Sequence, residues 1–527
     1  MAQKKRVALV GGGPTGVYTL KYLLQKADPL HVTIFEVGKV VGCGIPYSEE
    51  HNTPDMMANI TSVEIPPVLT SLADWVRSAD KTWLNKFGIN PDEVRERDYY
   101  PRVLLGAYFS DQLEQMIRAS APWHQVAIET ETRVLDVAPD GKGFTLTISN
   151  KEGKSQRRFD AVVMATGHLT RPLKSPASSG LYRSPYPVSN LDLAEDDAAL
   201  ILGSSLSAID AVVALAGRYG RFVGRDQDLS FELQSATKPR LVMASRKGTV
   251  PDADFFYPIP EEPLMIFTRA RLEKLRDQGK ANLLARSFAL FKQQMAADDP
   301  DFIKALALSR FTPEAFSKAY LAMRKSRQGF AAIADNLARS QADYRHRRIV
   351  MWRYTMMRAH EVFATIVPYL DDRDLERFQR HLAPVFADAY GCVPHVSLFR
   401  LLALHRAGCL DIVALEDSGA IRYGAGSFTL ESDGKVQTFG TLIDARGQNP
   451  ATISELGFEM LDQALATDDV LKRARDQSED DHFRLRLKGR PQADVFCISI
   501  PVMMERYPFA QGLVACSEAA EAVAMAI

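Results

Sequence analysis

Short runs of consecutive apolar residues alternate with stretches of helical spacing over the first third of the chain. VALVG (7–11) is a continuous apolar run, the pattern of a strand buried on both faces, and VYTLKYLLQKA (17–27) follows with helical spacing. VTIFEVG (32–38) is a second buried strand. This strand–turn–helix–strand order builds a parallel, doubly wound sheet. The stretch 39–70 carries Gly, Pro and Asn with little periodicity. Segments 126–137 and 143–149 read as antiparallel strands flanking the turn PDGKG, and FDAVVMATG (159–167) as a buried strand ending in glycine. Pro172, Pro176, Pro185 and Pro187 mark an extended connection and a domain boundary. ALILGSSLSAIDAVVALAG (199–217) then repeats strand, turn and helix, and LVMASRKG (241–248) supplies the next strand. From about 269 to 415, long charged amphipathic stretches such as RARLEKLRDQGKANLLARSFALFKQQMAA predict helices. Strands return at 420–431, 436–446 and 495–501, and a helix closes the chain near 515–526.

Length and composition narrow the class. At about 150 residues per domain, 527 residues imply three to four cores. A chain with 46% hydrophobic and 24% charged residues is globular, not disordered. Its 64 basic and 65 acidic residues leave a net charge of −1, which offers no field to nucleic acid or an anionic membrane. Five cysteines without a C-x-x-C argue against a zinc site, a disulfide framework and a redox pair. No apolar run is long enough to span a membrane, and glycines break the opening MAQKKRVALVGGG too early for a signal peptide. A reduced, soluble, cytoplasmic protein is the expectation.

Gly11-Gly12-Gly13-Pro14-Thr15-Gly16 fits G-x-G-x-x-G between a strand and a helix. Gly11 permits the tight turn, Gly13 lets a pyrophosphate approach the backbone, and Gly16 allows close helix–strand packing. The helix start, with Pro14 and Thr15, offers unpaired N–H groups to the phosphates. Glu36 ends the next strand, where its carboxylate can accept both hydroxyls of an adenosine ribose and repel a 2′-phosphate. This half suits FAD or NAD. The alternative for Glu36 is a solvated strand-end carboxylate.

Gly203-Ser204-Ser205-Leu206-Ser207-Ala208 is a degenerate copy in the same strand–turn–helix setting. Its next strand ends in Ser245-Arg246-Lys247, where arginine and lysine would bind a 2′-phosphate, so this half looks built for NADPH. The alternative is a surface basic pair on a vestigial unit, with residues 218–240 inserted before the strand. Two nucleotide sites imply a hydride passing from nicotinamide to flavin. The expected fold is α/β, with two Rossmann-like dinucleotide-binding domains (FAD and NADP) and a large helical insertion. The expected division is 1–175 for the first part of the FAD domain, 186–263 for the NADP domain, 264–415 for the helical insertion and 416–527 for the second part of the FAD domain.

The order GGGPTG (11–16), ATGHLTRPLKSP (165–176) and GSSLSAID (203–210) resembles two-dinucleotide-binding flavoproteins, in particular the class B flavin monooxygenases. GCGIPYS (42–48), MMANI (56–60), DYYPRVLLGAYFS (98–110), MASRKGTVP (243–251) and IDARG (443–447) are similar to the large bacterial FAD/NAD(P)-binding family that includes nitrosuccinate-forming amino-acid N-monooxygenases. That resemblance implies that Gly11, Gly13, Gly16 and Glu36 hold the FAD adenosine and pyrophosphate. It implies that Asn59 lies near the isoalloxazine ring and Tyr100-Pro101-Arg102 beside the flavin, making Asn59 and Arg102 the candidate catalytic residues. Gly167 would end the strand leading to the domain crossing, and Gln511-Gly512 would precede a helix capping the flavin. The aspartate common in flavoproteins before that last glycine is missing, which bears on the pyrimidine and ribityl contacts. The alternatives are a turn role for Asn59 and a surface or interdomain ion pair for Arg102.

Cys43 between two glycines has no partner cysteine nearby, so close backbone approach at Gly42 and Gly44 is favoured over thiol chemistry. His381 and His395 lack further spaced ligands, so no metal is expected. The basic, aromatic segment 344–363 reads as an interdomain or site-facing helix, not a nucleic-acid surface. The implied reaction is NADPH-dependent: dioxygen adds at flavin C4a, and the hydroperoxide passes its distal oxygen to a soft nucleophile. The best candidate acceptor is the amine nitrogen of a small amino acid, whose carboxylate would need cations such as Arg345, Arg347, Arg348, Arg353 and Arg358. The partners are therefore a small-molecule substrate and dioxygen. A reductase of a quinone, small acceptor or protein partner, and a non-catalytic nucleotide-binding protein, are the competing expectations.

Overall fold

The computed structural model describes residues 4–168, 180–193, 198–415, 420–424, 426–432, 434–447, 450–466, 483–504 and 507–527. The chain divides into two compact bodies. The first holds Met1–Pro54, Ile60–Leu169 and Gln448–Ile527, and the second holds Asp55–Asn59 and Thr170–Gly447. Pro172 and Pro176 lie outside the described residues.

In chain order, β1 (Lys5–Val10), β2 (Leu30–Phe35) and β3 (Gln125–Glu129) come first. Next are β4 (Arg133–Asp140), β5 (Gly143–Asn150), β6 (Gly153–Phe159) and β7 (Ala161–Met164). The second body contains β8 (Leu181–Tyr182), β9 (Ala198–Leu202), β10 (Gly220–Val223), β11 (Ser230–Leu233), β12 (Arg240–Ser245) and β13 (Leu410–Ala414). It continues with β14 (Ala420–Tyr423), β15 (Phe428–Ser432), β16 (Lys435–Phe439) and β17 (Thr441–Asp444). The last strand, β18 (Val495–Cys497), returns to the first body.

The first body is built on a parallel sheet in the order β18-β7-β1-β2-β3. Val7, Ala8 and Leu9 of β1 and all four residues of β7 are fully buried, as a sheet covered on both faces requires. The Pro14–Leu23 helix follows β1, with proline in its first turn where the missing N–H costs nothing. The antiparallel meander β4-β5-β6 buries Val137, Phe144, Leu146 and Ile148 in the core shared with β7 and β18.

The second body repeats this plan. Its parallel sheet runs β13-β12-β9-β17-β8, and β14-β15-β16 form its own antiparallel meander. The central strand β9 is buried at every residue. The Leu206–Ala216 helix and the His395–Arg406 helix pack in one core with the sheet, through residues such as Val212, Leu215, Leu398 and Leu401. Between β12 and β13 come the remaining helices of the insertion, beginning with Arg269–Asp277 and Leu283–Asp298.

Several expectations are corrected. Residues 420–447 do not return to the first body: β17 pairs with β9, and the meander before it completes the second unit as β4–β6 complete the first. The second body also begins before residue 186, since β8 pairs with β17. The segment 126–137 is two strands in two sheets, separated at Glu131 by a φ of 50°. The amphipathic stretch from 269 forms two helices, the first ending at Asp277 and the second starting after Asn282, with Gly279 at φ +112° and Asn282 at φ 52° in the turn between them. Residues 218–240, read as inserted loop, contain the antiparallel hairpin β10-β11.

Candidate functional site

The first cradle forms where β1 gives way to the Pro14–Leu23 helix. Gly11 has a φ of +110°, and a Cβ there would lie 2.2 Å from the carbonyl oxygen of Ala165. Only glycine meets both demands. Gly13 and Gly44 approach so closely that a Cβ on Gly13 would sit 3.3 Å from Gly44 Cα. Gly16, in the first turn, would strike the Gly11 carbonyl oxygen at 2.3 Å with any Cβ. Pro14, Thr15 and Gly16 are buried, and no side chain caps the helix start, which leaves first-turn amides open to a phosphate.

Glu36 stands at the end of β2 and is buried. Its Oε2 accepts the Gly12 amide at 2.9 Å and its Oε1 accepts the Gly38 amide at 2.7 Å. The carboxylate therefore holds the turn in shape. Each oxygen keeps a second lone pair with which it can accept a ribose hydroxyl.

The second cradle superimposes on this logic residue by residue. The Gly11 amide bonds the Phe35 carbonyl at 2.9 Å, and the Gly203 amide bonds that of Ala244 at 2.8 Å. Gly203 has a φ of +112°, and its Cβ would lie 2.7 Å from the Ala445 carbonyl oxygen. Since Val10 pairs with Phe35 and Leu202 with Ala244, the counterpart of Glu36 is Ser245. Arg246 stands one position further on. Ser204, the counterpart of Gly12, lies 2.8 Å from Ser245 Oγ and 2.6 Å from the Thr249 carbonyl oxygen. The Ser204 hydroxyl is the donor toward both oxygens, sharing its single proton between them, and Ser245 Oγ also accepts the Gly248 amide at 3.1 Å. Ser205 replaces Gly13 as N-cap of the Leu206–Ala216 helix, exposed and without a cap bond. Leu206 and Ser207 form the first turn, and Ala208, fully buried, takes the place of Gly16. Arg246 is exposed and Lys247 partly buried, with burial lowering the Lys247 pKa.

The remaining expected residues are dispersed. Arg102 opens the Arg102–Ala119 helix of the first body. Its charge opposes the burial that raises the Tyr47 hydroxyl to about 12. The Tyr100 hydroxyl is buried without a hydrogen bond among the described residues. Asn59 groups with the second body, and its Oδ1 is likewise shielded and unpaired there. Gly167 lies beyond β7 at a φ of +69° with open space around it. Gln511 donates to Met504 Sδ at 3.3 Å, and Gly512 is the N-cap of the Leu513–Ala526 helix.

Cys43 is buried, and its thiol is pushed up to about 11 by burial and then by Glu36. A neutral buried thiol is a poor nucleophile. His395 Nε2 sits 2.8 Å from Ser340 Oγ and 3.1 Å from the Asp254 carbonyl oxygen. His381 lies in the π-helical turn Phe378–Leu382. No group of three His, Cys, Asp or Glu side chains that could hold a metal occurs among the described residues. No helix among them is long and apolar enough to cross a membrane. Arg353 and Arg358 are buried in the middle region, and Arg348 pairs with Asp343. A feature that sequence reading missed is Arg324, 2% exposed, bonded to Asp252 at 2.6 Å and Asp388 at 2.7 Å.

Comparison with known proteins agrees with this geometry. A family model described as FAD-NAD(P)-binding matches residues 8–169, so the first cradle lies in an FAD/NAD(P)-binding domain. A second, the YdhS-like middle domain, matches 268–390. Over 185 residues the chain is 29% identical to the monooxygenase ptmN of Penicillium ochrochloron, covering 34% of this chain and 26% of that protein. The fold is similar to that of ornithine N-hydroxylase from Kutzneria sp. 744, in a complex with reduced FAD, NADP+ and L-ornithine. That match has a TM-score of 0.52 at 13% identity and covers 99% of this chain and 98% of the other. The protein YdhS of Escherichia coli (strain K12) is 36% identical over 529 residues, spanning 99% of this chain and 97% of that one. On that full-length identity, and with an FAD/NAD(P)-binding domain and the YdhS middle domain both in place, this chain belongs to the YdhS-like family.

Proposed function

We propose that this protein is an FAD monooxygenase that takes electrons from NADPH and oxygenates a soft nucleophile, the amine nitrogen of a small amino acid. The observation that carries the proposal is the pair of cradles in equivalent register with opposite chemistry. One ends its second strand in Glu36, which suits the bare ribose of FAD, and the other in Ser245-Arg246-Lys247, which suits a 2′-phosphate.

The amides of the Pro14–Leu23 helix start would hold the FAD pyrophosphate, and Glu36 the adenosine ribose. Gly13 and Gly44 leave no side chain between the phosphates and the backbone. Tyr100, whose hydroxyl is shielded and has no partner among the described residues, would hydrogen-bond the bound group. Arg102 would contribute positive charge beside it. Once bound, FAD supplies hydride acceptance and the activation of dioxygen. What the chain adds is positioning and exclusion of water, which is why the sequence shows no acid–base triad. The likeness to an ornithine N-hydroxylase fold supports nitrogen as the acceptor.

The test is the absorbance spectrum of the purified protein before and after NADPH in air, followed by mass spectrometry of a panel of amino acids and amines. A yellow protein, bleached by NADPH and yielding hydroxylamine or nitro products, is expected. NADPH oxidation coupled only to peroxide across the panel would shift the reading to a reductase. A protein that takes up no flavin on reconstitution would point to a non-catalytic nucleotide binder.

A further inference from the structure

The middle domain reaches the basic end of the second cradle. The turn between the Pro313–Lys325 and Gly329–His346 helices carries Ser326, Arg327 and Gln328. Gln328 Nε2 donates to the Lys247 carbonyl oxygen at 2.6 Å, which ties this turn to the Arg246-Lys247 segment. Beside this contact a cavity of about 180 Å³ is lined by Gly248, Asp252, Arg324, Arg327, Asn336 and Arg339 among others.

The charges around this cavity do not cancel. Arg324 bonds Asp252 and Asp388, and Arg353 pairs with Asp252 at 3.3 Å, so two buried arginines meet two partly buried carboxylates. Arg339 pairs with Asp335. Arg246 and Arg327 are exposed and form no side-chain hydrogen bond or ion pair among the described residues. Lys247 lies close enough to feel Arg246, Arg324 and Asp388, and Arg327 close enough to act on Asp252. Arg246 and Lys247 of the loop, and Arg327 of the turn tied to it by Gln328, thus form no ion pair among the described residues, whereas Asp252, Asp335 and Asp388 are each paired with an arginine.

We infer that Arg327 of the middle domain completes, with Arg246 and Lys247, the site for a phosphate monoester, the 2′-phosphate of NADP(H). A doubly charged phosphate offers three acceptor oxygens, and guanidinium groups from two sides clamp it more tightly than one. This inference rests on the reading of the second cradle as an NADP(H) site. It adds that the middle domain, and not the Rossmann unit alone, sets the coenzyme preference. Gln328 is a positioning residue that holds the turn in place.

Isothermal titration of the full-length, FAD-reconstituted protein tests it, with NADP+, NAD+ and inorganic phosphate as separate titrants. Arg327→Ala is expected to raise the Kd for NADP+ about tenfold or more, the scale of a charge-assisted contact. The Kd for NAD+ should stay within about twofold, and Arg327→Lys should recover part of the loss. Because Arg327 is exposed, folding is checked by an unchanged far-UV spectrum. If Arg246→Ala weakens NADP+ and Arg327→Ala does not, the inference fails and the NADP(H) reading stands. Equal affinity of the wild-type protein for NADP+ and NAD+, with Arg246→Ala also silent, overturns both. Loss of inorganic phosphate binding in Arg327→Ala with NADP+ affinity unchanged would assign the cations to a free anion and overturn the inference.

Discussion

Ser204 Oγ and Ser245 Oγ lie 2.8 Å apart, bridging turn and strand end where the Gly12 amide and the Glu36 carboxylate meet in the first cradle. A neutral hydroxyl pair thus stands where the other half has a full negative charge. Ser245→Glu rebuilds the acidic strand end beside Arg246. Its carboxylate would repel a 2′-phosphate, so the preference for NADPH over NADH should fall by about tenfold or more, or roughly 1.4 kcal/mol. Steady-state KM values for the two coenzymes report it directly.

Glu36 stabilises the first turn, besides its proposed role on the ribose. In Glu36→Ala the Gly12 and Gly38 amides lose their acceptor, at about 1–3 kcal/mol for each amide left unpaired. Glu36→Gln retains one acceptor oxygen and sets an NH2 against the other amide. Both variants should release FAD on dilution and melt earlier, alanine more so than glutamine. Flavin fluorescence in the filtrate and thermal unfolding separate these effects.

Two glycines with positive φ should respond differently to alanine. Gly11→Ala adds a collision with the Ala165 backbone to about 1–3 kcal/mol of backbone strain, whereas at Gly167 the added methyl meets open space. The first variant should lose flavin and unfold early. The second should stay folded, with a melting temperature only a few degrees lower.

Acid should act on the Asp252–Arg324–Asp388 cluster. Burial pushes the Asp252 carboxyl up, but Arg353 and Arg324 outweigh it and hold the group below its ordinary value. A carboxylate depressed in the folded state adds stability that is fully present above the unfolded pKa of about 3.9 and is lost as pH falls through the folded value. Asp252→Asn should therefore be less stable than wild type at neutral pH and show a flatter decline below about pH 4. Arg324→Ala, which strips a shared partner from two partly buried carboxylates, should cost up to about 3–5 kcal/mol. Calorimetric melts across pH check both.

Local pattern revealed the two cradles, because a strand, a turn of small residues and a helix leave their mark within 20 to 30 residues. It did not reveal that Ser245, and not Arg246, is the counterpart of Glu36. That equivalence depends on β12 lying beside β9, and residues 218–240 separate the two units in sequence. Strands β14 to β16 carry no sequence feature that allots them to one body; the pairing of β17 with β9 and the packing of Phe428, Leu430 and Phe439 against β9 and β12 do. Arg327 had no signal at all, since an exposed arginine in a helical stretch looks like any other until Gln328 is seen on the Lys247 carbonyl. The helix break before Leu283 involves two residues of positive φ, Gly279 and Asn282, of which only the glycine is a signal in the sequence.

The position of the middle domain has one more consequence. β12 and β13 are parallel neighbours, so the chain must cross the sheet between them, and about a dozen residues suffice for that. The His395–Arg406 helix, packed in the core of the second body, already makes the crossing. Residues 268–390, the span of the YdhS-like middle domain, precede that helix and are not needed to close the sheet. They form an insertion whose length and sequence can change while every strand of the second body's parallel sheet keeps its neighbour.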